Sequence, residues 1–153
     1  MRDPGYWLLP GVIAALALAD GVLHLLLDFV LFQGRLWGPP PGGAAPTALP
    51  FVPLRDNQLF LLNFIGFIVL AAALWLVLLR CGRWVWAVDV ALLVYTAVTI
   101  FGWVREGRPN PQGLGRLAEG FEIALLVVLL AYLWYLFQTR PLRGSSSSPR
   151  PES

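Results

Sequence analysis

Four apolar runs dominate the chain: Trp7 to Leu31, Leu59 to Leu79, Trp84 to Val104 and Leu117 to Phe137. Each offers the about 20 residues that a helix needs to cross a hydrocarbon layer about 30 Å thick. Once water is excluded, a lone segment has to satisfy its backbone polar groups internally, and the α-helix does so. The chain has 153 residues, of which 58% are hydrophobic and 13% charged, far from the roughly 25% charged of soluble domains. The expectation is all-α: an integral membrane four-helix antiparallel bundle over residues 1–138, with one long Pro/Gly-rich loop, and a disordered C-terminal tail over residues 139–153.

The connections support this layout. Gln33 to Arg55 contains Gly38-Pro-Pro-Pro-Gly-Gly followed by Pro46, Pro50 and Pro53, which excludes helix over most of it. Trp37, Leu49, Phe51 and Val52 suit either an interfacial cap over the bundle or a loose spacer. Asp56 reads as the N-cap of the second helix. The turn Arg80-Cys-Gly-Arg83 is so short that helices 2 and 3 must be antiparallel neighbours. Pro10 is placed in the first turn of helix 1, where a missing N–H is tolerated. Ala17-Leu-Ala19 before Asp20 resembles a signal-peptidase site, but the apolar run continues well beyond it, so an uncleaved first helix is expected. The tail after Phe137 is polar and of low complexity, with nothing to bury.

Within the first run, Asp20-Gly-Val-Leu-His24-Leu-Leu-Leu-Asp28 carries three ionisable groups four residues apart, hence on one helical face. Facing lipid, that stripe would expose charge to hydrocarbon, so it is expected to face the other helices. Asn63 interrupts helix 2, while Glu119 and Glu122 fall in the first turns of helix 4. At a rise of about 1.5 Å per residue, His24, Asn63 and Glu122 share one layer roughly 6 to 8 Å inside the outer boundary. Asp28 and Glu119 come just above, Thr99 of helix 3 at a similar depth, and Asp20 near the midplane. The reading is an outward-facing polar pocket of Asp20, His24, Asp28, Asn63, Thr99, Glu119 and Glu122.

Plainer explanations exist for several of these groups. Buried polar residues serve as packing glue between membrane helices. Glu119 stands three residues after Arg116, a spacing that suits an exposed ion pair, and Asp28 is explained by the end of helix 1. Thr hydroxyls in membrane helices often bond back to their own backbone. Asp89, towards the opposite face, is expected to pair with Arg80 or Arg83. Asp20 and Glu122 have no basic partner within their own helices.

His24, Asp28, Glu119 and Glu122 are metal-ligand candidates, since imidazole and carboxylate suit zinc, manganese or iron. A two-metal carboxylate site with paired Glu-x-x-His motifs is excluded, because the chain has 1 His. The same count excludes bis-histidine haem, and 1 Cys excludes a dithiol centre. Proton handling is a second route, Asp, Glu and His being the usual relay residues. A polar small molecule or lipid headgroup held by Glu119, Glu122 and Arg105 is a third. Nucleophilic hydrolysis has no support, as the first serine is Ser145 and no Gly-rich phosphate loop or HExxH motif occurs.

A net charge of +2 does not indicate nucleic acid, because the arginines sit at helix ends without a basic stripe. They divide almost evenly between the two faces, but Arg80/Arg83 and Arg140/Arg143 lie close to span ends, where the positive-inside rule acts. Both termini are therefore expected in the cytoplasm, the protein in the cell membrane. The first functional expectation is a non-enzymatic accessory or assembly subunit, with a membrane protein partner or a second copy. The second is a proton or metal-ion carrier built on His24, Asp20 and Glu122, and a membrane metalloenzyme comes third.

Overall fold

A computed structural model describes residues 5–33, 55–80, 82–105, 107 and 110–139. Four α-helices make up nearly all of it: α1 (Gly5–Phe32), α2 (Asp56–Arg80), α3 (Val85–Arg105) and α4 (Leu114–Gln138). Short 3-10 turns, Gly82–Trp84 and Pro111–Gly113, precede α3 and α4. No strand occurs among the described residues. All four helices are long and apolar enough to cross a membrane. The long loop, Cys81 and the C-terminal tail lie outside the described residues.

Each helix touches two others. α1 packs on α2 and α4, and α3 packs on α2 and α4, so the four close into a square with no diagonal contact. Ring pairs along α1 and α2 give their relative direction: Trp7 meets Trp75 near one end, while His24 and Phe32 meet Phe60 near the other. Numbers rise on one helix as they fall on the other, so the pair is antiparallel.

The residues that face inward repeat at alternating intervals of three and four. On α1 they are Ile13, Ala17, Asp20, His24 and Leu27, and on α2 Phe67, Ala71, Leu74 and Leu78. On α3 the line is Val85, Asp89, Leu92, Thr96, Thr99 and Trp103, and on α4 Gly115, Ala118, Glu122, Leu125, Leu129 and Tyr132. This is the seven-residue repeat of left-handed bundles, in which a helix keeps one seam against its partners. The opposite faces expose Leu8, Val69, Leu79, Phe101, Val127 and Trp134. An apolar exterior of this kind cannot distinguish inside from outside by hydrophobicity, so packing and the few polar groups must do so.

Helix ends depart from expectation in small ways. α1 starts at Gly5, which places Pro10 inside the helix rather than in its first turn. The cap observed at α2 is a bond from the Arg55 N–H to Gln58 Oε1 at 3.0 Å, the return half of a capping box; the Asp56 side chain lies outside the described residues. At α4 the Arg116 N–H donates to Asn110 Oδ1 at 3.1 Å. Gly113 precedes that helix with φ of 82°, a left-handed conformation that glycine adopts without a side-chain penalty.

One close approach fixes α2 against α3. The Tyr95 ring lies directly over Gly66, leaving no room for a Cβ there. Its edge also meets Phe67, with ring centroids 5.1 Å apart and planes at 85°. Gly66→Ala should therefore lower stability by about 1–3 kcal/mol, the usual penalty of overpacking, in thermal unfolding of the detergent-solubilised protein. In a Tyr95→Ala background the same change should be nearly neutral, and equal losses in both backgrounds would show that the contact is not responsible.

Candidate functional site: a buried carboxylate and histidine cluster

Asp20 and His24 occupy successive positions on the α1 core line, and Glu122 occupies one on α4. The 3.5-residue seam that delivers Ile13 and Leu27 to the interior delivers these polar groups as well. They are 0%, 3% and 1% exposed. One ligand-type atom from each of the three lies within 4.8 Å of the others.

The geometry of the imidazole sets its chemistry. His24 Nδ1 is 3.0 Å from the Asp20 carbonyl oxygen, which can only accept, so Nδ1 carries the proton and donates. In the neutral ring Nε2 is then the lone-pair nitrogen, and it points towards Glu122 Oε1 at 3.7 Å. Asp20 Oδ1 is 3.6 Å from Nδ1. Both side-chain distances exceed hydrogen-bond range. Accordingly Asp20 Oδ1, Asp20 Oδ2 and Glu122 Oε1 are buried with no hydrogen-bond partner.

All four helices hold this arrangement. α2 walls the imidazole with Phe60 and Phe67, ring centroids 5.8 and 6.1 Å away. α3 braces Phe67 through Tyr95. Below the cluster, towards the start of α1, the core is apolar: Ile13, Ala14, Ala17, Leu74, Leu125 and Leu129. Above it, Asp28 lies one turn beyond His24 and is 0% exposed, with both carboxylate oxygens unbonded. Glu119 lies one turn before Glu122 and is half-buried. Since α1 and α4 supply His24 and Glu122 to the same place, both residues step towards the same end of the bundle.

The remaining expected members are elsewhere. Tyr95 Oη donates towards Asn63 Oδ1 and the Leu62 carbonyl oxygen, each 3.1 Å away, so Asn63 serves the α2–α3 contact. Thr99 Oγ1 donates to the Tyr95 carbonyl at 3.0 Å, and Thr96 does likewise to Leu92 at 2.9 Å; both hydroxyl protons stay within their own helix. Among the described residues no arginine lies within ion-pair distance of a carboxylate, so neither Glu119 with Arg116 nor Asp89 with Arg80 forms the pair expected from sequence. The Arg83 side chain lies outside the described residues. Asp89 is buried near the start of α3 with both oxygens unbonded. Arg105 is exposed at the end of α3, whereas the Glu122 carboxylate, expected to share a ligand with it, is buried. An open groove beside α4 is lined by Leu16, Arg116, Leu117, Gly120, Phe121 and Ala124, none of them from the cluster.

Phe60, Phe67 and Gly66 are positioning residues that sequence reasoning passed over, and the Tyr95 hydroxyl is one to which it gives little weight. Phe60, Asn63 and Phe67 lie at i, i+3 and i+7, a signal that they share a face of α2. Comparison of the chain with protein-family models, curated proteins and solved structures finds no match.

Tyr95→Phe should cost about 0.5–1.5 kcal/mol, the worth of one hydrogen bond, in thermal melts. The His24 ring resonances should be unchanged, because the tyrosine ring that braces Phe67 is retained.

Proposed function

We propose that this is an integral membrane protein that takes a cation, a proton or a metal ion, into a buried receptor between α1 and α4. The observation that carries the reading is the set of unbonded carboxylate oxygens on Asp20 and Glu122 either side of His24. Polar groups kept only to fasten helices together are expected to hydrogen-bond across the interface, and buried charge without a partner is expensive. A cation removes that penalty.

Access is from one end. Asp28 and Glu119 continue the acidic groups from the cluster towards the end of the bundle where α1 stops and α4 starts. On the other side the seam runs through apolar Ala17 on α1, Leu125 on α4 and Leu92 on α3 before it reaches Asp89. The groups facing His24 are Asp20 on its own helix, Glu122 on α4 and the uncharged Phe60 and Phe67 on α2; α3 contributes Tyr95 behind Phe67. A receptor of this form fits one-sided uptake better than a continuous pore. The accessory-subunit reading draws on the small size of the chain, and a cation receptor of this size is compatible with a partner.

Infrared difference spectra of the reconstituted protein provide the test. Changing pH or adding a divalent cation should alter carboxyl and imidazole bands, and Glu122→Gln and His24→Ala should remove those changes while helicity persists. Variants that only lower the melting temperature, with the difference bands intact, would make the cluster a packing feature. Orientation has a natural reporter in the single cysteine. If both termini are cytoplasmic, Cys81 in the α2–α3 turn should resist a membrane-impermeant maleimide in intact cells and react in inverted vesicles.

A further inference from the structure

We infer that the cation is a divalent first-row transition metal, held by His24 Nε2 together with the carboxylates of Glu122 and Asp20. This rests on the receptor reading above and narrows it to one ligand class. Three features point the same way.

The first is the orientation of the imidazole. Metal-bound histidines almost always donate their other ring N–H to a carbonyl or carboxylate, which fixes the tautomer and aims the free nitrogen. His24 has that arrangement before any ion is considered: Nδ1–H is engaged by the Asp20 carbonyl at 3.0 Å, and Nε2 faces Glu122. The second is spacing. Bonds of about 2.0–2.2 Å in tetrahedral geometry place ligand atoms about 3.3–3.5 Å apart. Nε2 and Glu122 Oε1 are 3.7 Å apart, within reach of a small carboxylate rotation; the Asp20 carboxylate, with Oδ1 3.6 Å from Nδ1 but a ligand atom within 4.8 Å of the set, has to swing from that edge of the ring to join the same ion. The third is charge. One divalent ion neutralises two carboxylates with a neutral imidazole, leaving no net charge in an apolar interior, and any carboxyl proton is released as the metal enters.

The donor set also selects among ions. Calcium takes six to eight oxygens and magnesium keeps several waters, whereas an imidazole with two carboxylates suits zinc, manganese or iron. Three protein ligands leave at least one position open to a fourth ligand. Asp28, buried and unbonded one turn from His24 towards the end of the bundle, stands where an incoming ion would pass.

Cobalt(II) is the probe of choice, because its visible absorption reports coordination. The full-length protein in detergent should bind one Co²⁺ per chain with d–d bands of a four- or five-coordinate nitrogen–oxygen site, and Zn²⁺ should displace it. His24→Gln, Asp20→Asn and Glu122→Gln should each weaken binding by more than about 100-fold, beyond the 10–100-fold typical of an outer-shell partner. Glu122→His should restore binding with shifted bands, which separates loss of a ligand from loss of fold. Failure of the wild type to bind Co²⁺ or Zn²⁺ while its helicity is intact would overturn the metal assignment, as would binding unaffected by Asp20→Asn and Glu122→Gln. If that failure came with pH-dependent carboxyl bands in the infrared, the receptor reading would stand with protons as the cation; if neither signal appeared, both readings would fall.

Discussion

Four helices that are apolar on every side have little to tell them which face to turn inward. What decides it in this chain is the seven-residue seam, and the seam is where the polar residues are. Asp20 and His24 on α1, Asp89, Thr96 and Thr99 on α3, and Glu122 on α4 all occupy core positions of the repeat. Rotating any of these helices by half a turn would exchange a buried carboxylate or hydroxyl for an exposed leucine or valine. In a lipid bilayer that exchange would be opposed by several kcal/mol. The polar groups therefore specify rotation, while close-packed small and aromatic residues specify distance.

The fold was readable from the chain because its determinants are local. Run length, Pro and Gly in the connections, and the short Arg80 to Arg83 turn each constrain one element without reference to the rest. The helix bounds differ from the expected ones by a few residues at most, and at the start of α2 a side chain accompanies the difference. Gln58 reaches back to the Arg55 N–H, a bond that a search for Asp or Ser caps overlooks.

The site was readable only in part, for a physical reason. Depth along an axis follows from residue number, so Asp20, His24 and Glu122 could be placed in neighbouring layers. Rotation about the axis depends on the partner helix, and that is where Asn63 and Thr99 went elsewhere. Asn63 is at the expected height, but its amide faces the Tyr95 hydroxyl. Thr99 is buried, but its hydroxyl proton is used by its own backbone. Equally, nothing in composition reveals that His24 would be held by a main-chain carbonyl one turn earlier. That contact follows from the i, i+4 spacing of a helix and the rotamer the packed phenylalanines allow.

The fit of Tyr95 over Gly66 bears on how the bundle can move. A ring lodged in a notch blocks gradual sliding of α2 along α3; the next equivalent seat lies a full helical turn away, about 5.4 Å. Those two helices thus form a stator. On the proposed reading, any adjustment that admits an ion then falls to α4, because α1 is itself seated on α2, with Gly21 close against Phe64 and Phe67.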